Sequence, residues 1–127
     1  VDDVFKEHGA FSWNELMTTD VASAKTFYSE AFGWQYKDEP MGEMTYTVVT
    51  AGEKEIGGIM TIPPEAGEMP PVWGAYVTVD DVDETAKKVE AAGGKIHVPP
   101  RDIPGVGRFC VIQDPQGAYI SAISYKM

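Results

Sequence analysis

Few side chains in this sequence are equipped for chemistry. There are two histidines, His8 and His97, and one cysteine, Cys110. A single thiol excludes an intrachain disulfide and any cysteine-rich zinc or iron–sulfur centre. The carboxylate with most chemical promise is Glu15, inside the run Phe11-Ser-Trp-Asn-Glu-Leu-Met17. That run reads as a strand, so alternation sets Trp13, Glu15 and Met17 on one face and Asn14 and Leu16 on the other. On an apolar concave wall, desolvation favours the neutral form of a carboxyl group and prepares it as a general acid or base. The same group would equally anchor a cationic ligand, or pair with Arg108 or a lysine.

Aromatic and hydroxyl groups complete the inventory. Trp13 and Tyr76 suit stacking on a planar ligand or simple filling of space. Tyr46, Tyr119 and Ser121 offer hydrogen bonds, and Phe109 apolar surface. Met44, Met60 and Met69 supply soft, adaptable surface. Cys110 alternates onto the opposite side from Phe109 and has no activating base near it in sequence, which reads as a buried small hydrophobe. Trp34 and Trp73 read as packing residues. Arg101, Asp102 and Arg108 flank a Pro/Gly-rich stretch, either a lid or a solvated surface loop. Gly105 and Gly107 precede no helix, so they do not form a phosphate-cradling turn.

The chain reads as one unit written twice. A strand over 11–17 leads to Asp20, then Val21, Ala24, Phe27, Tyr28, Ala31 and Phe32 recur at helical spacing up to Gly33. A strand over 72–79 leads to Asp81, then Val82, Ala86, Val89 and Ala92 recur up to Gly93-Gly94. Asp20 and Asp81 are N-caps, Asp81 with Glu84 has capping-box spacing, and the glycines end the helices. Three extended runs follow each helix: 35–38, 44–50 and 55–62, then 95–98, 107–113 and 118–125. Turns lie at 50–54 and at Asp114-Pro-Gln-Gly117. The repeated unit is βαβββ. Residues 63–71, rich in proline, link the copies as a crossing loop.

The chain has 127 residues, 43% hydrophobic and 24% charged, which is the make-up of one folded domain rather than a disordered segment. Ten basic against twenty acidic residues give a net charge of −10, which excludes nucleic acid and anionic membranes as natural partners. The same charge favours a neutral or cationic small ligand. No apolar run is long enough for a membrane span, and the first residues lack a signal core, so a cytoplasmic location is expected.

Paired βαβββ units resemble the vicinal oxygen chelate superfamily, also called the glyoxalase/bleomycin resistance protein/dioxygenase fold. Met17-Thr-Thr-Asp20 leading into Phe27-Tyr28 and Phe32-Gly-Trp34, Val79-Asp-Asp-Val-Asp83, Ala91-Ala-Gly-Gly94 and Asp114-Pro-Gln-Gly117 carry the resemblance in order. Residues 98–108 are similar to its glyoxalase-like subgroup. The resemblance implies an α+β fold in a single domain: two βαβββ modules, about 10–62 and 72–127, forming a curled mixed sheet (a half-barrel) around a cavity with helices outside. It also implies a homodimer, an exchange of strands between two chains being one possibility, or a tandem fusion of two such domains. Members of the superfamily hold a divalent metal with four strand-borne ligands. Those positions fall here on Trp13, Gly58, Gly74 and Ser121, none an imidazole or carboxylate. A hard or borderline ion is not repaid for its dehydration by one serine hydroxyl, so no metal and no other cofactor is expected. A divalent metal is the alternative, with Glu15 or Glu55 brought near by a slip in register. The expected ligand-binding residues are Trp13, Met17, Tyr46, Met60, Tyr76, Phe109, Tyr119 and Ser121, with Glu15 as the catalytic candidate. Two functions stay open: a metal-independent small-molecule binder, or a lyase, isomerase, hydroxylase or dioxygenase-type enzyme.

Overall fold

The computed structural model describes residues 3–41, 44–64 and 68–126. The element order is β1 (Phe11–Thr18), α1 (Val21–Phe32), β2 (Gln35–Met41), β3 (Met44–Ala51), β4 (Lys54–Thr61), β5 (Val72–Thr78), α2 (Val82–Ala91), β6 (Lys95–Ile103), β7 (Gly107–Gln113) and β8 (Tyr119–Tyr125). This is βαβββ twice, an α+β fold. The strands form one mixed, eight-stranded sheet in the order β2-β3-β4-β1-β5-β8-β7-β6. β1 pairs with β4 and β5 with β8 in parallel, and the hairpins β2–β3, β3–β4, β6–β7 and β7–β8 are antiparallel.

Both helices start where a carboxylate accepts from an otherwise unpaired backbone N–H of the first turn. Asp20 accepts from Ser23 N–H at 3.0 Å and Asp81 from Glu84 N–H at 3.1 Å. The Glu84 carboxylate turns to Lys87. α1 ends on Gly33 with φ 74°, the left-handed residue a C-terminal cap needs. In the second unit the left-handed residue is Gly93, φ 94°, and not Gly94.

Two elements run longer than the sequence pattern suggests. β2 continues to Met41 through Pro40, and β6 continues to Ile103 through Pro99 and Pro100. Of the Pro/Gly-rich stretch that Arg101, Asp102 and Arg108 flank, residues 104–106 form a turn between β6 and β7, while Arg101 and Asp102 themselves lie in β6. Proline cannot donate to a ladder, and both strands stand at an end of the sheet, where the missing donor costs least. Pro99 and Pro100 also fall in a register shift between Val98 and Arg101. In the link, residues 62–64 and 68–71 are outside any strand; residues 65–67, and the side chain of Met44, lie outside the described residues.

The chain divides into two compact units, Asn14–Gly74 and Val1–Trp13 with Ala75–Met127. The division follows the leading segment, which is bonded to the end of β5. Gly9 N–H donates to Thr78 O, Thr78 N–H to Ala10 O, and the Thr78 hydroxyl to Val4 O.

Each unit has a core between its helix and one face of its strands. In Asn14–Gly74 that core is Leu16, Val49 and Ile59, flanked by Val21, Ala24 and Tyr28 of α1 and by Trp34 and Tyr36. Of the expected α1 stripe, Phe27 and Phe32 stay 62% and 63% exposed. Residues 21, 24 and 28 make one helical stripe, and 27 and 32 stand on its flank. Their rings join Tyr28 and Trp34 in an aromatic cluster that also takes Trp73, whose indole N–H donates to the Tyr28 hydroxyl. In the other unit the core is Val79, Val82, Cys110 and Ala122, with Val77 and Ile112 packed on it.

Candidate functional site

Alternation leaves one face of each set of strands turned away from its helix. In Asn14–Gly74 this face carries Glu15 and Met17 of β1, Gly58 and Met60 of β4, and Tyr46 and Val48 of β3. The registers bring them together: Glu15 pairs with Gly58, Met17 with Met60, and Val48 with Gly58. The Tyr46 hydroxyl donates to Glu15 Oε2 at 2.7 Å, and the Glu15 side chain is buried at 8% exposure. A short bond from a phenol to a buried carboxylate is a strong, charge-assisted one when the carboxylate is ionised. The arrangement is suited to accept or donate a proton, or to hold a polar group of a ligand against an otherwise apolar wall.

In the other unit the corresponding face carries Tyr76, Phe109, Val111 and Ser121. Tyr76 and Phe109 rings meet at 6.5 Å between centroids, and Tyr76 is the register partner of Ser121. Tyr76 and Ser121 are buried at 7% and 8% exposure. Trp13 is half-buried on β1. Tyr119 stands at the start of β8, 60% exposed, with its ring 4.7 Å from that of His97. Of the residues singled out in the sequence, the structure thus groups Glu15, Met17, Tyr46 and Met60 on one face. It groups Tyr76, Phe109 and Ser121 on another, and sets Tyr119 apart.

The Arg108 guanidinium forks onto Asp83, at 2.9 and 3.0 Å, and reaches Asp102 at 3.0 Å. These bonds hold the Asp83 carboxyl below the ordinary carboxylate range and push Arg108 up. Asp38 is also lowered, first by the Thr47 hydroxyl and then by Lys25. Cys110 is fully buried in its core, and burial pushes its thiol up.

The four strand positions that the family resemblance supplies hold Trp13, Gly58, Gly74 and Ser121. The Glu15 carboxylate, which a slip in register would have offered, is engaged by Tyr46. Both histidines have structural employment: His8 Nδ1 accepts from Asp80 N–H at 2.9 Å, and His97 Nε2 bonds Gln113 Oε1 at 2.8 Å. Among the described residues no three His, Cys, Asp or Glu side chains stand together as metal ligands.

Sequence reasoning placed Gly58 on this face but missed that Tyr46 lies over it. A Cβ there would overlap the Tyr46 hydroxyl and ring. The available signal was the diagonal relation of Tyr46 to Gly58 across a hairpin, which needs the hairpin register to be known. The grooves along α1, lined by Lys25, Thr26, Ser29, Glu30 and Tyr36 in one case, involve none of the expected ligand-binding or catalytic residues.

The repeated βαβββ order, the parallel β1–β4 and β5–β8 pairs and the strand-borne polar groups define a glyoxalase-type fold. The model of the Glyoxalase/Bleomycin resistance protein/Dioxygenase superfamily matches residues 10–121, and the chain belongs to that superfamily. It is 42% identical over 115 residues to "Putative glyoxylase CFP32" of Mycobacterium tuberculosis, covering 88% of this chain and 44% of that protein. It is 34% identical over 124 residues to the anthracycline biosynthesis protein DnrV of Streptomyces peucetius, covering 87% of this chain and 45% of that one. The chain therefore spans less than half the length of these relatives. Among solved structures, methylmalonyl-CoA epimerase from Mycobacterium tuberculosis superposes with a TM-score of 0.62 at 14% identity, over 94% of this chain and 89% of that one. At that identity the likeness is one of fold.

Proposed function

We propose that this domain binds a neutral or cationic small molecule in an aromatic, metal-poor cavity, with the Glu15–Tyr46 pair as the polar element of its wall. The observation that carries the reading is the buried Glu15 carboxylate, bonded by the Tyr46 phenol, on the strand face turned away from α1. A net charge of −10 disfavours anionic ligands at long range. Met17 and Met60 beside the pair offer adaptable apolar surface. The absence of imidazoles and carboxylates at Trp13, Gly58, Gly74 and Ser121 supports binding without a protein-held metal. We further take the chain to act as a homodimer in the cytoplasm. No helix among the described residues is long and apolar enough to cross a membrane.

A second reading is favoured by the same pair. A phenol and a carboxylate 2.7 Å apart form a proton-transfer couple, which an isomerase or lyase would use with Glu15 as base and Tyr46 as donor. The names of the relatives, a glyoxylase and a biosynthesis protein, are in keeping with either reading.

The test is metal analysis of the purified protein, with thermal unfolding against Zn²⁺, Ni²⁺, Mn²⁺ and Fe²⁺ and against a panel of cationic, neutral and anionic aromatic compounds. A ligand at a hundred times its Kd stabilises the folded state by about 2.7 kcal/mol. We expect no stoichiometric metal, and stabilisation by cationic or neutral compounds that exceeds that by anionic ones. Bound metal with a clear rise in Tm, or a preference for anions, overturns the reading. Glu15→Gln separates the two functions: binding of a neutral compound survives it, whereas proton transfer, assayed as turnover, is lost.

A further inference from the structure

We infer that Gly58 is a positioning residue that seats Tyr46 against Glu15, and so sets the state of the carboxylate without touching a ligand. The inference deepens the binding proposal in taking Glu15 as the site's polar element, but its geometry stands apart from any ligand. Gly58 is the register partner of Glu15 on one side and of Val48 on the other. Tyr46, two residues before Val48, lies on the same face and reaches diagonally across Gly58 to donate to Glu15 Oε2 at 2.7 Å.

Glycine is required here for its missing side chain and not for its backbone. Gly58 is not among the glycines with positive φ. A Cβ on it would overlap the Tyr46 hydroxyl and the ring carbon that bears it. The obstruction is the far end of a side chain with two torsions, so a methyl group at 58 displaces the phenol and leaves the strand standing. Gly57 is the opposite case. Its added Cβ would stand 2.5 Å from the backbone oxygen of Asn14, and the ladder itself would have to move.

The experiment uses the full chain, without ligand, and reads the Glu15 side-chain carboxyl carbon by NMR alongside Tm. Tyr46→Phe removes the donor and shifts that resonance. Gly58→Ala is expected to shift it in the same direction by a similar amount, although Glu15 and Tyr46 are both still present. In a Tyr46→Ala background, Gly58→Ala leaves the resonance in place and lowers Tm less than it does in the wild type, because the two positions share one space. Gly57→Ala lowers Tm equally in both backgrounds. A wild-type resonance in Gly58→Ala, or the same displacement in both backgrounds, overturns the inference. Should Gly58→Ala alone fail to fold, a folded Tyr46→Ala/Gly58→Ala double variant carries the same conclusion, and a double variant that also fails overturns it. A failed compound screen would sink the binding proposal and leave this result untouched.

Discussion

At the residue scale, the molecule separates carboxylates by their partners. Glu15 is buried and takes a phenol, while Asp83 and Asp38 are at the surface and take cations or a hydroxyl. Asp83 carries a pH consequence. Its folded-state pKa is depressed, first by hydrogen bonds from Arg108, so its contribution to stability is complete above the unfolded carboxylate value of about 3.9 and is lost as pH falls through the lower folded value. The Tm difference between wild type and Asp83→Asn is therefore expected to be largest near neutral pH and to shrink steadily below about pH 4. Thermal scans from neutrality down to about pH 2 measure it, and a difference that stays constant with pH would show that the Arg108 fork contributes nothing through charge. The gap itself is small, because the ion pair is open to water.

At the element scale, helix boundaries and most strands were legible in the sequence because local chemistry decides them. Asp20 and Asp81 as caps, Gly33 as a stop and the alternation that buries Leu16 and Cys110 all follow from neighbours within a few residues. The extensions of β2 and β6 were not legible. Proline argues against a strand unless the strand is known to sit at an edge, and edge status belongs to the sheet as a whole. The same holds for Tyr46 on Gly58, where both residues were visible in the sequence but the cross-strand register was not. Which of Phe27 and Tyr28 enters the core was likewise settled by the roll of α1 on its strands. A test of this scale lies in the core: Ile59 is fully buried between Leu16 and Val49. Ile59→Ala is expected to cost about 2–5 kcal/mol, the range for deleting a large aliphatic side chain from a packed site. Urea unfolding measures it, and a loss below about 1 kcal/mol would mean that the core collapses onto the gap.

At the scale of the whole molecule, charge and sheet edges matter more than any one contact. Twenty acidic residues against ten basic ones leave a net charge of −10, and self-repulsion opposes the compact state. Moderate salt screens that repulsion, since the Debye length falls from about 30 Å at 0.01 M to about 10 Å at 0.1 M. Tm is accordingly expected to rise over this range of sodium chloride, and a fall would assign the larger share to surface ion pairs such as Lys25–Asp38.

The prolines in β2 and β6 have a bearing on chains longer than this one. Any domain tethered to a copy of itself meets that copy at millimolar effective concentration, where exposed strand edges invite one sheet to grow into the next. Here both outer strands are interrupted by residues with no N–H to offer, Pro40 at one end and Pro99 and Pro100 at the other. Such a sheet is a poor template for a ninth strand, and a polypeptide carrying it beside another domain keeps the two from knitting together.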